Sequence, residues 1–567
     1  MHETDVFIIG GGPVGLSASL LLADQGIRTT LVERNATVSN HPKASAFNTR
    51  TMEVLRELGI ADDVYATTTP AGGVSFYTSL TGYKLGHIQM NDHPDYIQSL
   101  ISSTPAPLAI SSQIVLEAIL KEHADRHPLV DVRFNCRKEK LTQGDEFTEA
   151  TVVDQESGKE EVIRAKYTIA CDGAGSPTRK EFGRELVGPP SFGYQINAYI
   201  EADIESLTAE ETHQALYWIS NNETSGVFIG LGGDWNKWCY NFTYFPDRGE
   251  KAEDFTEAEC LNRVYAALGT DTLPVKILSI GPWVLCGQVI DEYRDGRVFF
   301  GGDAAHLNIP TGGFGFNTGM QEIHNLAWKL GYVLRGLAPD SLLDTYHEER
   351  RDIAVYNVET SRKNAINIRE TGAGLGGEVM ESDEIEIDSE RGQAQRKIRS
   401  DAIDRQYSHF IFLGQEIGFG YWDSSLVTPD GSLHYSDEHQ VENPVSVYIP
   451  NARPGARAPH CWVEHDGERL SLLDLFRTDF TLLICGNDSD WLGESQQPDI
   501  PLRTYTIGDE NSDLKDIDNV FRRYYGIDSD GAVLVRPDGH VAWRANHGLD
   551  PHDGVSLSDA LAKSIGK

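Results

Sequence analysis

The stretch Asp5-Val-Phe-Ile-Ile-Gly10-Gly-Gly-Pro-Val-Gly15 decides the reading of this chain. Val6 to Ile9 form a short, wholly apolar run, which reads as a buried strand. Gly10, Gly12 and Gly15 then fall in the pattern G-x-G-x-x-G. The first glycine permits a tight turn, the second lets backbone approach a pyrophosphate, and the third lets a helix pack closely on the strand. Leu16, Leu20 and Ala23 recur at helical spacing, and Gly26 marks the helix end. The N-terminus of this helix, entered through Pro13 and Val14, offers free N–H groups and a positive dipole end to phosphates. Thr29-Thr-Leu-Val-Glu33 supplies a second strand, ending in an acid 18 residues past Gly15 that can accept ribose hydroxyls. A glycine pattern alone is weak evidence; set between strand, helix and acid, it predicts a dinucleotide-binding unit.

Two further stretches repeat the strand-to-loop grammar. In Gly301-Gly-Asp-Ala-Ala-His-Leu-Asn-Ile-Pro-Thr-Gly-Gly-Phe-Gly-Phe-Asn-Thr-Gly319, the strand Arg297 to Phe300 delivers Asp303 beyond its carboxyl end, where ligands of α/β sheets bind. Asp303 can accept a hydrogen bond from a sugar-alcohol chain. Pro310 and the glycines at 312, 313 and 315 keep side chains away from a flat ligand. A helix beginning near Thr318 carries Met320, Ile323, Leu326, Ala327 and Leu330 on one buried face, and its N-terminus would stabilise negative charge at the loop. The other stretch, Cys171-Asp-Gly-Ala-Gly-Ser-Pro-Thr-Arg179, follows the apolar Tyr167-Thr-Ile-Ala170. There Asp172 could hold backbone or cofactor, and Arg179 could meet an anionic group.

Composition narrows the classes. The chain has 567 residues, too many for one hydrophobic core, and is 40% hydrophobic, as folded water-soluble proteins are. No apolar run approaches the ~18 residues of a membrane span, and the N-terminus reads as a structural strand rather than a secretory signal. A net charge of -37 argues against nucleic-acid binding through phosphate neutralisation. Seven scattered cysteines without a CxxC pair suggest reduced thiols in a cytoplasmic protein, and no metal site is expected. His306 lacks partners at ligand spacing and reads as structural.

Along the chain, the period changes to two between about residues 190 and 245. Trp238, Tyr240, Phe242 and Tyr244 would share one sheet face, with Leu216–Ile219 and Val227–Leu231 as neighbouring strands. Such an aromatic stripe is more often sheet core than ligand pocket. Residues 375 to 391 are acidic and Gly-rich and read as a loop or a linker stretch. From about residue 440, short strands such as Thr481–Cys485 and Ala532–Val535 alternate with helical segments, indicating a small separate α/β domain.

The three motifs, in this order and spacing, resemble those of group A flavoprotein monooxygenases, the single-component aromatic hydroxylases. The resemblance extends through His41-Pro-Lys-Ala44, Arg50-Thr-Met-Glu-Val-Leu-Arg-Glu-Leu-Gly59, Gln113 and Asn325-Leu-Ala-Trp-Lys-Leu330. At the C-terminus, Arg453-Pro-Gly-Ala-Arg-Ala-Pro-His460 is similar to the opening of a thioredoxin-like domain in the phenol hydroxylase branch, and Trp235-Asn-Lys-Trp238 points to its 2-hydroxybiphenyl and chlorophenol hydroxylases. The fold it implies is α/β: a Rossmann-like FAD-binding domain with an inserted β-sheet substrate domain and a C-terminal thioredoxin-like domain. The implied division is 1–185 and 286–372 for the FAD-binding domain, 186–285 for the substrate-binding sheet, 373–440 for linker and helices, and 441–567 for the last domain.

The resemblance also implies a chemistry. NADPH or NADH reduces FAD, O2 adds to form a C4a-hydroperoxyflavin, and its distal oxygen attacks an electron-rich phenolic ring. Gly10, Gly12, Pro13, Val14, Gly15, Glu33, Arg34, Lys43, Gln113, Asp172 and Asp303 match cofactor-binding positions. Pro310, with Gly315, Phe316 and Asn317, matches the wall under the isoalloxazine. A homodimer is one assembly the resemblance leaves open. Ser45 is a departure, because several phenol hydroxylases carry His or Asp there, and serine is too weak a base to replace them. That substitution leaves two readings: another group activates the phenol, with Tyr217 and Tyr240 of the sheet as candidates, or the substrate is already ionised or otherwise activated. The competing enzyme class is a flavin-dependent reductase or dehydrogenase without oxygen insertion.

Overall fold

The computed structural model describes all residues except 69–72, 209–212, 374–383, 433–440, 442, 488, 496–499 and 550–554. Its first sheet grows from the opening strand. His2–Ile9 pairs in parallel with Thr29–Val32 on one side and Glu160–Ala170 on the other. Val130–Arg133 and Val298–Phe300 extend it outward, also in parallel, and Arg294–Asp295 closes one edge antiparallel. Parallel strands are buried on both faces, which explains why Val6, Phe7, Ile8, Ile169 and Phe299 are all at most 1% exposed. Helices Pro13–Asp24 and Phe314–Leu334 cover the sheet, packed against each other.

The second sheet has seven strands in the order Lys276–Leu285, Gly193–Glu201, Lys237–Tyr244, Ser225–Gly230, Leu216–Ser220, Gly73–Tyr77 and Lys84–Gln89. Its last two strands come from residues 73–89, so the sheet is not confined to the expected 186–285. One face carries Trp238, Tyr240, Phe242 and Tyr244, as the alternation predicts, and packs against helix Glu257–Leu268 through Cys260, Val264 and Leu268. The other face presents Trp218, Val227 and Ile229 toward Ile403, Ile411 and Leu413 of the segment after residue 384. The expected linker at 375–391 lies partly outside the described residues; from Glu390 the chain is helical, to Asp404.

The C-terminal region forms its own seven-stranded mixed sheet, with Phe480–Cys485 central between Leu502–Gly508 and Ala532–Val535. It is docked on the first domain through a buried charge cluster. Arg536 donates to both carboxylate oxygens of Glu349, at 2.6 and 2.9 Å, while Lys329 reaches Glu349 at 2.7 Å. Among the described residues, no helix is long and apolar enough to cross a membrane.

Candidate functional site

Strand register places the motifs side by side. Ile9 is level with Val32 and with Ala170, and Ala170 is level with Phe300. The residues that follow these four strand ends are Gly10, Glu33, Cys171-Asp172 and Gly301 to Asp303, all at the carboxyl edge of a parallel sheet. This edge is where an α/β sheet binds its ligand. A cavity of about 1390 Å³ opens there, larger than the ~300–1,000 Å³ that a single small ligand occupies.

Every residue assigned to the cofactor from the sequence, together with Pro310, borders this one cavity. The glycines differ in what confines them. Gly10 has φ +111°, and a Cβ there would lie 2.2 Å from the Cys171 carbonyl oxygen; one on Gly15 would lie 2.0 Å from the Gly10 carbonyl oxygen. A Cβ on Gly12 would meet no protein atom within 4 Å, so that backbone faces open space of a kind a pyrophosphate fills. Glu33 is fixed beside it, accepting from the Gly11 N–H at 2.8 Å and the Asn35 N–H at 2.8 Å.

Around the far loop, the helix Phe314–Leu334 begins four residues earlier than the Thr318 start expected. Its N-cap is Gly313 in the left-handed region, with no capping side chain, so its first N–H groups remain free at the cavity wall. Asn317 holds this terminus in place: its amide donates to the Ala46 and Gly313 carbonyls and accepts from the Asn48 N–H at 2.9 Å. Gln113 likewise fixes the loop of Lys43, accepting from the Ala44 N–H at 3.1 Å. The Asp303 side chain opens into the cavity, and among the described residues it accepts no hydrogen bond. Surrounding protein raises its pKa, Glu322 adds to the rise, and His306 and Lys43 oppose it.

Two expectations need correction. Tyr217 and Tyr240 do not reach the cavity; both are fully buried on the face that packs against helix Glu257–Leu268. Their hydroxyls meet Thr208 Oγ1 at 3.0 Å and Thr224 Oγ1 at 2.7 Å. Burial pushes Tyr217 up to about 12 and Tyr240 higher still, the opposite of what a proton acceptor requires. Arg179 does not border the cavity: its guanidinium donates to the carbonyls of Ala304 and Ala174, tying two loops together. Asp172 accepts from Ser176 and from the Thr178 N–H, the backbone-holding role its motif allowed, and it borders the cavity as well.

Beyond Pro310 the cavity continues into an apolar chamber that sequence reasoning did not assign. Trp218, Val227 and Asn241 of the second sheet form one wall, and Phe410, Phe412 and Glu416 another. Asn241 is 2% exposed and its Oδ1 has no hydrogen-bond partner. A buried acceptor left unpaired costs ~1–3 kcal/mol. The alternating pattern of Lys237–Tyr244 does put Asn241 opposite Tyr240; nothing in the sequence says which face is open.

Comparison with known proteins agrees with this geometry. A family model described as FAD binding domain matches residues 3–361, and one described as aromatic-ring hydroxylase, C-terminal, matches residues 451–567. The 2,4-dichlorophenol 6-monooxygenase of Delftia acidovorans is 34% identical over 565 residues, covering 96% of this chain and 95% of its own. Aklavinone 12-hydroxylase RdmE of Streptomyces purpurascens is 32% identical, with 96% of each chain covered. Among solved structures, the flavin-dependent monooxygenase PieE in complex with FAD and substrate matches with a TM-score of 0.89 at 30% identity, over 99% of both chains. A ternary complex of aklavinone-11 hydroxylase with FAD and aklavinone gives 0.82 at 30% identity, over 100% of both.

Proposed function

This chain belongs to the FAD-dependent aromatic-ring hydroxylases, and from that premise we propose that it hydroxylates a phenolic ring held in the chamber beside Trp218, Val227 and Asn241. The observation that carries the reading is a largely apolar chamber, walled by Trp218, Val227, Phe410 and Phe412, continuous with the cofactor cavity. Bound FAD supplies the oxidising chemistry, with O2 and electrons from NAD(P)H. The chain supplies position and environment. Free N–H groups of helix Phe314–Leu334 favour negative charge at the cavity wall, and Asn317 keeps that helix end in place. Trp218 and Val227 exclude water from the ring and hold its faces.

The test is a panel of phenol, 2,4-dichlorophenol, 2-hydroxybiphenyl and 1-naphthol with the FAD-loaded protein. The expected result is stimulated NAD(P)H oxidation, matching oxygen uptake, and a product heavier by one oxygen. NAD(P)H oxidation coupled to a reduced product with no added oxygen would favour the reductase reading instead.

The cofactor half of the site has its own test. Asp303→Ala removes a charged acceptor aimed into the cavity, and no internal hydrogen bond goes with it. A hydrogen bond of that kind is worth ~1.5–3 kcal/mol, roughly ten- to hundredfold in affinity. Fluorescence titration should therefore show FAD binding weakened by about that factor at an unchanged melting temperature of the apoprotein. Wild-type affinity would remove Asp303 from the cofactor's contacts.

A further inference from the structure

With Tyr217 and Tyr240 behind the sheet and only a serine at position 45, the chamber still lacks a group to ionise a phenol. Glu416 has the required placement. It lies on helix Leu413–Ile417, 3% exposed, and borders the cavity beside Phe410 and Phe412. No cation stands within ion-pair distance of it among the described residues, and the hydrogen bond it accepts, from the Thr49 N–H, is long at 3.4 Å. Its position is at the cofactor end of the chamber. Thr49 follows Asn48, which is bonded to Asn317, and the Phe412 ring stands edge-on to Phe314 at 5.4 Å.

We propose that Glu416 is a catalytic residue whose carboxylate accepts the proton of the phenolic hydroxyl bound in the chamber. The inference rests on the phenol hydroxylase reading above. In this step the phenol O–H bond breaks, an O–H bond forms at a Glu416 carboxyl oxygen, and the electron pair stays on the phenolate oxygen. The phenolate ring is then richer in electrons for attack. Afterwards the hydroxylated ring carbon gives its proton to water, and the proton held by Glu416 returns to the product oxygen.

The titration of Glu416 suits this role. Burial raises it to about 7, the Glu53 charge adds to the rise, and the Thr49 contact opposes it. The titratable groups facing it are Glu53 on helix Thr49–Glu57, paired there with Arg50 and Arg457, and Tyr96 on helix Pro94–Ser103. Burial and the Glu416 charge keep the Tyr96 hydroxyl protonated. His409 borders the same chamber with an unpartnered Nδ1, but burial lowers it to about 3, leaving a far weaker base. A base is most effective when its pKa lies near the working pH, which selects Glu416.

A purely structural Glu416 would cap helix Thr49–Glu57, and glutamine would serve that purpose through its own carbonyl oxygen. Glu416→Gln in the FAD-loaded enzyme, with the best-stimulating phenol of the panel, therefore separates the two roles. General-base help is worth ~100-fold or more. The expected result is a loss of about that size in oxygen transfer at neutral pH, with FAD content unchanged. The pH profile of the wild type should break near 7, and in Glu416→Gln the break should move up to the free phenol's own ionisation, activity recovering there. Glu416→Asp should restore part of the rate and the lower break. A Gln variant with wild-type rate and profile overturns the proposal. Should the Gln variant fail to hold FAD, the wild-type profile decides, since a flat response from about pH 6 to 8 overturns the proposal equally. A wild type stimulated by no phenol overturns the hydroxylase reading itself, and this inference with it.

Discussion

Gly15→Ala yields a protein that has lost FAD and also melts earlier, whereas Gly12→Ala loses FAD without melting earlier as the apoprotein. The difference follows from what each new Cβ would meet. At Gly15 it would lie 2.0 Å from the Gly10 carbonyl oxygen, a backbone atom of the same turn. Neither partner can rotate away, so helix Pro13–Asp24 and the end of strand His2–Ile9 must separate. Overpacking of this kind costs ~1–3 kcal/mol in stability. The same shift withdraws the N–H groups that would hold the pyrophosphate. Losing two charge-assisted bonds of ~1.5–3 kcal/mol each lowers FAD affinity by roughly 10²- to 10⁴-fold. Gly12 has φ -74° and open space around its Cβ direction, so alanine there strains nothing until the ligand arrives. Fluorescence titration with FAD and thermal melts of the two apoproteins give the comparison. If Gly12→Ala binds FAD as wild type does, the pyrophosphate does not approach that backbone.

The cofactor half of the cavity was legible in the sequence because its signals are local. A strand, a turn glycine, a helix and an acid lie within residues 5–33, and the Asp303 loop repeats the logic. Each such unit fixes its own geometry, and parallel register then brings the units together. The start of helix Phe314–Leu334 was less legible, since Gly313 caps it by conformation and leaves no Ser or Asp signal. The substrate half was hidden for a different reason. Alternation along Lys237–Tyr244 sorts side chains into two faces, but the helix that covers Tyr240 is a remote segment, Glu257–Leu268. The tyrosines were therefore assigned to the wrong side. Glu416 sits on a five-residue helix, too short for a periodic signal, and only tertiary folding brings it to the cavity.

Arg536→Met should be the most destabilising single change at the junction with the C-terminal region. Arg536, Lys329, Glu349 and Asp538 have side chains at most 1% exposed, and their formal charges cancel. Asp538 also accepts from the Trp328 indole at 3.2 Å and, through its carbonyl, from Arg50 at 2.6 Å. Burial alone would raise Glu349, but Arg536 and Lys329 outweigh it and hold it far below the carboxylate range. Asp538 is held down in the same way, chiefly by Arg536. Methionine fills similar volume and removes one cation, leaving two buried carboxylates against a single lysine that burial already weakens to about 8. Breaking a buried network on one side costs ~3–5 kcal/mol. Urea unfolding should show that loss in the transition that releases the C-terminal region, together with faster proteolysis there. Neutralising one acid as well, in Arg536→Met/Glu349→Gln, should restore part of the loss, because the charge is balanced again. Acid should act similarly on the wild type. Both carboxylates titrate lower when folded, so their contribution is complete above the unfolded carboxylate range and fades as pH falls through the folded values. Lys329 and Asn325 belong to the same helix, Phe314–Leu334, whose first turn borders the cavity. The C-terminal region is thus anchored to the helix whose first turn opens on the cavity, and a double mutant no more stable than Arg536→Met would show that packing, rather than charge, holds the junction.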